Sequence, residues 1–484
     1  MGIVQNQSFK NTITTYIGFG IGAINTLFLY TEFMSEQYYG LITYILSTAY
    51  VMMPLLAFGA HNSLVKFYSS YKSRNNVNSF LTWMLLLPLL MIIPLGLVGY
   101  VAFEVISNFL SETNTIIKDY VWLIYVAAIA FSYFEVFYSW TKVHMNSVFG
   151  NFMKEVFHRA GVMILLFCLY FQVIAIETFV YAVVGVYILR MLTMKFYAFY
   201  VRRPIFRFGK LPNLKAVLKY SALIIIAGSV ANIILEIDKF MIGQYIEIEK
   251  VAYYGVAIYI ATVIGVPARS MHQITNPLTA KLLNEGENNK LKVLYKKSSL
   301  NLFIISGFIF LIIILNINQL YLLIDDKYTG GLVVVLLISV AKLSDNIIGN
   351  NNAILFNSDY YRVVLALGVL LAIMTVVFNA LLIPEYGING AAFATFMSVI
   401  IYNFAKVTFV YYKFKMSPFC VNTFKTLVLI VILAIVFYFW EFPFHPIINI
   451  GLKSILIGLC YGLVVYRMNL SDDISIILNK FLKK

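Results

Sequence analysis

The chain has 484 residues, 61% of them hydrophobic and only 12% charged, with a formal net charge of +14. A water-soluble fold cannot bury so large an apolar share, so most of the surface must face lipid. That excludes a soluble enzyme or a nucleic-acid-binding domain, and the positive charge follows instead from the bias of Lys and Arg toward the cytoplasmic connections of membrane proteins.

Apolar segments recur along the whole length and predict about 14 membrane spans, with no stretch left for a soluble domain. The N-terminus, MGIVQNQSFKNT, is short and polar. It has neither the basic region nor the cleavage site of a secretory signal, and Gly2 lacks the context for myristoylation. The first span, near Thr12 to Tyr30, is therefore expected to be retained. The connections then alternate in charge. TEFMSEQYYG is acidic, HNSLVKFYSSYKSRNN basic, SNFLSETNTIIKDY mostly acidic, TKVHMNSVFGNFMKEVFHR basic. The longest basic stretch is YVRRPIFRFGKLPNLK. IEIEK, NNKLKVLYKK and LIDDKYTG continue the alternation, and YYKFKMSPF and NKFLKK are basic again. An even number of spans with both termini in the cytoplasm satisfies the whole series.

YYGLITY, Tyr38 to Tyr44, returns as YYGVAIY at Tyr253 to Tyr259. The echo extends beyond the motif. Phe33 and Met34 answer Phe240 and Met241, Pro54 answers Pro267, and Asn75 and Asn76 answer Asn288 and Asn289. Lys195 to Arg203 resembles the run from Lys406 more weakly. The first six spans therefore repeat as the next six in the same orientation, as parallel repeats about an axis along the membrane normal. The expected fold is all-α: two six-helix bundles around a central cavity, plus two C-terminal transmembrane helices. The expected divisions are residues 1–203, a basic cytoplasmic linker 204–218, a second bundle 219–415, and 416–484.

Several charges fall inside spans, where isolated charge is costly and normally faces a cavity or a partner. In chain order they are Glu135, Arg159, Arg190, Asp238, Lys239, Arg269, Lys342, Asp345 and Lys406. Arg190, Arg269, Lys342 and Lys406 lie in spans running inward, between mid-membrane and the inner end. Together they predict a cationic vestibule suited to phosphate, since guanidinium donates bidentate hydrogen bonds. Arg159 joins them as a candidate binding residue. Arg269 and Lys406 would serve equally as anchors reaching for the headgroups. Lys342 and Asp345, three apart, share a helix face and are placed to pair. Glu135, Asp238, Lys239 and Asp345 are candidates for ion coupling or ion pairing.

His61, His144 and His158 near inner helix ends have no metal-site spacing, and Cys168, Cys420 and Cys460 read as small apolar fillers. There is no glycine-rich phosphate loop, zinc spacing or nucleophile motif, so no cofactor, metal or catalytic centre is expected. The last two spans, near Thr423 to Trp440 and Pro446 to Tyr466, lie outside the repeat and carry only Lys453 between their flanks. They read as a platform for a lipid tail or as added membrane bulk. SDDISIILNKFLKK reads as an interfacial helix, with Ile474, Ile477, Leu478 and Phe481 on one face, Ser471 as cap, and Asp472 and Asp473 at the positive end of its dipole.

EIDKFMIG, from Glu236 to Gly243, is similar to a pattern of bacterial polysaccharide flippases. So is NALLIPEYGINGAAFAT, from Asn379 to Thr395, with Pro384, Gly387, Gly390, Ala391 and Ala392 in place, and so are the two YYG motifs and the opening FKNTITTYIGFGIGAINTLF. The chain resembles the oligosaccharide flippases of the multidrug/oligosaccharidyl-lipid/polysaccharide exporter superfamily over its whole length. The resemblance implies a multi-pass protein of the bacterial inner membrane. Its substrate would be an oligosaccharide linked to undecaprenyl pyrophosphate, for O-antigen or a similar polysaccharide, moved by alternating access. Membrane lipids and glycan-assembly proteins would be the partners, and a proton or sodium ion the coupling ion. The alternatives are a multidrug–cation antiporter of the same superfamily, a membrane glycan polymerase or ligase, and a non-catalytic scaffold. The short outer connections count against the polymerase, and the basic rather than acidic interior counts against the antiporter.

Overall fold

The computed structural model describes residues 3–227 and 230–482. All regular structure among them is helical, without a strand. The chain divides into two compact units, residues 1–255 and 256–484.

Eleven helical stretches among the described residues are long and apolar enough to cross a membrane, against the expected count of about 14. One of the eleven, Tyr361–Phe414, runs for 54 residues, far more than the roughly 20 needed for one crossing. It is broken at Gly387, whose φ of 57° and ψ of −135° are not helical. Only glycine enters that region cheaply. A side chain at Gly390 would strike the Leu382 carbonyl. The Asn379–Thr395 motif is thus a tight reversal between two helices, with its glycines at the fold-back. The segment 148–170 is built of shorter pieces, and residues 228–229, within 214–245, lie outside the described residues.

In the first unit, helices Glu36–Ala57 and Ile176–Val201 both pack on Val121–Val143, and Val230–Tyr245 packs on Glu36–Ala57. Trp140, Phe134, Phe80, Met84 and Met194 fill one core between these helices and their neighbours. Of the two YYG motifs, the first has a packing reason for its glycine. A side chain at Gly40 would collide with the Ile248 carbonyl, and Gly255 meets only a Thr43 methyl, at 3.5 Å. Two helices carry one π-helical turn each, Asn25–Leu29 and Met153–Phe157. Each inserts wider winding where the two segments approach, and such turns often accompany functional sites.

In the second unit, the 34-residue helix Asn288–Tyr321 is flanked by Val266–Asn284, Leu332–Ile347 and the two C-terminal helices, Val421–Tyr438 and Pro446–Arg467. Lys453 is fully buried and lies 3.4 Å from Glu441. Glu441 also accepts from Gln319 (2.6 Å) and Asn449 (2.9 Å). This clasp ties the connection between the last two helices to the long one. The tail helix Asp472–Leu482 forms as expected, and Ser471 Oγ accepts from the Ile474 amide at 3.4 Å. The side chains of Ile477, Leu478 and Phe481 lie outside the described residues.

Candidate functional site: a buried cationic cluster

Packing of Ile176–Val201 on Val121–Val143 brings Arg190 against two phenylalanines of the facing helix. The guanidinium carbon is 4.1 Å from the Phe134 ring centre and 5.7 Å from that of Phe131. Tyr187, one turn before Arg190 on its own helix, is 4.9 Å away. Arg190 is 2% exposed, and its Nε and Nη1 are buried without a hydrogen-bond partner. No carboxylate among the described residues lies within ion-pair distance. Withdrawing a guanidinium from water costs several kcal/mol, whereas cation–π contact returns about 0.5–2 kcal/mol. The aromatic box therefore offsets only part of the cost, and donors remain for an anion.

The neighbouring cations are compensated. Lys154 Nζ is 2.6 Å from Glu135 Oε1, and Arg159 Nη1 is 3.2 Å from Glu155 Oε2. The π-helical turn Met153–Phe157 presents this group, and Asn25 Nδ2 donates to the Arg159 carbonyl across to the first helix (2.8 Å). Gly18 leaves room there, since a side chain at that position would strike the Glu155 carbonyl. The His158 ring lies 5.3 Å from that of Tyr187. Arg190, Arg159 and Lys154 all lie within its electrostatic reach. Asp238 is fully buried and accepts from the Tyr254 hydroxyl at 2.6 Å. Lys239 pairs with Glu236 (3.1 Å), which also accepts from Ser47 (2.7 Å).

The second unit builds its own polar group. Lys406 is 1% exposed. Its ammonium donates to Asn352 Oδ1 at 3.2 Å and sits 4.0 Å from the Tyr402 ring centre. Asp345 and His272 lie within its electrostatic reach. Lys342 and Asp345 do not pair, contrary to their spacing. Asp345 accepts from Asn403 Nδ2 at 2.8 Å, while Lys342 runs its stem past Gly265. A shared face permits an ion pair; a closer amide from another helix takes the carboxylate here. Arg269 belongs to the helix Val266–Asn284. It is exposed, in the first turn of Val266–Asn284, which continues a 36-residue apolar stretch.

The described residues contain no group of His, Cys, Asp and Glu able to hold a metal. Burial, and after it the Arg202 charge, hold the His144 imidazole below the usual histidine range, against the pull of the Trp140 carbonyl it contacts. The sequence reading missed Lys154, Glu155 and the aromatic box. Lys154 and Glu155 were read as part of a basic connection, because a π-helical turn leaves no hydropathy signal. The box had a legible half, since Tyr187 and Arg190 are three apart.

Among solved structures, the chain is similar to the lipid II flippase MurJ in an inward closed conformation. The TM-score is 0.73 at 14% identity, covering 95% of this chain and 99% of that one. An inward-facing multidrug resistance MATE family transporter of the MOP superfamily matches at TM-score 0.58 and 12% identity, covering 85% and 94%. A MOP superfamily transporter from Pyrococcus furiosus matches at 0.57 and 14%, covering 86% and 96%. At these identities the likeness shows the fold alone, which is that of MOP-superfamily transporters. No curated protein sequence matches the chain. Residues 5–283 match the family described as polysaccharide biosynthesis protein, and the chain belongs to that family.

Proposed function

We propose that the protein is a flippase that moves an undecaprenyl-pyrophosphate-linked oligosaccharide from the cytoplasmic to the outer leaflet of the bacterial inner membrane, for O-antigen or a related polysaccharide. The observation that carries this reading is the buried guanidinium of Arg190, with two nitrogens unpartnered and no counter-charge. A pyrophosphate supplies both the charge and the acceptors that Arg190 lacks. Arg159 is a further candidate for cargo binding in the first unit, and Lys342, Lys406 and Arg269 are the candidates in the second. Both termini lie in the cytoplasm, and the halves alternate access. Glu135, Asp238 and Asp345 are the groups through which a proton or sodium ion would couple. Family membership and the lipid-flippase fold support the substrate class.

The test is reconstitution in vesicles with a fluorescent lipid-linked oligosaccharide. The wild type is expected to move it between leaflets, and Arg190→Gln to move it at least about 100-fold more slowly, from two charge-assisted hydrogen bonds at about 1.5–3 kcal/mol each. Full activity of Arg190→Gln would sink the assignment. Transport of an organic cation in place of the lipid-linked sugar would establish the antiporter instead.

A further inference from the structure

The connection between helices Ile176–Val201 and Leu214–Ala227 is not helical, yet it is held residue by residue. Arg202 donates to Asn78 Oδ1 (3.0 Å) and to the Tyr68 hydroxyl (2.9 Å). Thr82 Oγ1 donates to the Ile205 carbonyl (3.2 Å) and accepts from the Arg207 amide (3.1 Å). Arg207 Nη1 donates to Asn75 Oδ1 (2.6 Å), and the Tyr71 hydroxyl to the Pro212 carbonyl (3.2 Å). Gly209 lies against Ser79, where a side chain would come within 2.8 Å of Oγ. The strap therefore follows the first two turns of the helix Arg74–Leu86, and that helix opens a membrane-crossing stretch.

The fixed geometry turns apolar side chains outward. Phe206 is 62% exposed and Phe208 73%, with Ile205 beside them. Arg203, Arg207 and Lys210 are interleaved and exposed. The surface is continuous with the end of Ile176–Val201, where Phe196 and Tyr200 are also exposed. A mobile linker would need none of these staples, and a strap in water gains nothing from presenting two phenylalanines.

We propose that this strap is an anionic-lipid docking surface: Phe206 and Phe208 enter the headgroup–acyl boundary while Arg203, Arg207 and Lys210 hold the phosphates of acidic phospholipids. Two observations choose this occupant. The basic residues match an anionic leaflet, and the strap lies beside the end of Ile176–Val201 and the start of Arg74–Val101, two stretches long and apolar enough to cross a membrane, whose ends are where an interfacial layer begins. Aromatic side chains favour that layer, and basic ones reach its phosphates. The reading is independent of the cargo.

The test places a reporter on the strap. Phe208→Trp protein, with Phe206→Trp as a second site should the first fold poorly, is put in nanodiscs of phosphatidylcholine containing phosphatidylglycerol. Bromine is carried on the acyl chains of one lipid or the other at equal mole fraction. The emission added by the substitution, over that of the native tryptophans, is measured. Brominated phosphatidylglycerol is expected to quench it about twofold or more above brominated phosphatidylcholine, and Arg203→Gln/Lys210→Gln to bring the two to equality. Equal quenching in the parent, or preference surviving the double substitution, overturns the headgroup assignment. Emission quenched by neither lipid overturns membrane docking and points to water or a protein partner.

Discussion

Replacing Arg190 by methionine separates a binding role from a packing role, because the two roles predict opposite changes. Methionine keeps much of the volume and removes the charge. The buried guanidinium costs several kcal/mol in lost hydration. Its contacts with Phe134 at 4.1 Å and Tyr187 at 4.9 Å return about 0.5–2 kcal/mol. The difference favours the variant, so Arg190→Met is expected to be neutral or up to about 3 kcal/mol more stable than the wild type. Transport should move the other way. Loss of two charge-assisted bonds to pyrophosphate, at about 1.5–3 kcal/mol each, slows it by about 100-fold or more. Thermal denaturation in detergent reads the first quantity, and vesicle translocation of a labelled lipid-linked sugar the second. A variant that loses more than about 1 kcal/mol while transporting within tenfold of wild type would show that Arg190 is structural.

Gly387→Ala forces a side chain into a backbone region open to glycine and should destabilise the second unit by about 1–3 kcal/mol, read as a lower denaturation midpoint. Glu441→Gln leaves the buried Lys453 without its countercharge. Because Glu441 itself is 39% exposed, the cost is set at about 1–3 kcal/mol rather than the larger value for a fully buried pair. Lys453→Met should cost less, and equal losses in the two variants would contradict the clasp. Gly40→Ala should be poorly tolerated, by about 1–3 kcal/mol, because of the Ile248 carbonyl. Gly255→Ala has room and should fall within about 1 kcal/mol of wild type; comparable expression and stability of the two would refute the close approach.

The membrane class and the all-helical fold were legible because they rest on sums over many residues. No single substitution hides a composition in which hydrophobic residues dominate. The YYG echo was legible in the sequence, while the close approach at Gly40 was not, because it is to a carbonyl far along the chain. Depth marked Arg190, and the structure adds the missing partner that makes the depth meaningful. Lys154 went unmarked because its partner Glu135 sits on another helix, and hydropathy reports nothing about cross-helix pairs. The same limitation misled the reading of Lys342 and Asp345. Spacing sees neighbours on one helix, and Asn403 approaches from another.

The two π-helical turns also bear on how this protein can be altered. Regular α-helical winding advances about 100° per residue, and a π-helical turn takes up one extra residue within about one turn, so the helix beyond it stays in phase. Excising a single residue from Met153–Phe157 would restore even winding and leave Arg159 and all that follows facing much as before, at the loss of the local bulge that carries Glu155. Chimaeras joined through this segment can therefore differ by that one residue, whereas any other single-residue change of length turns the following helix by about 100°.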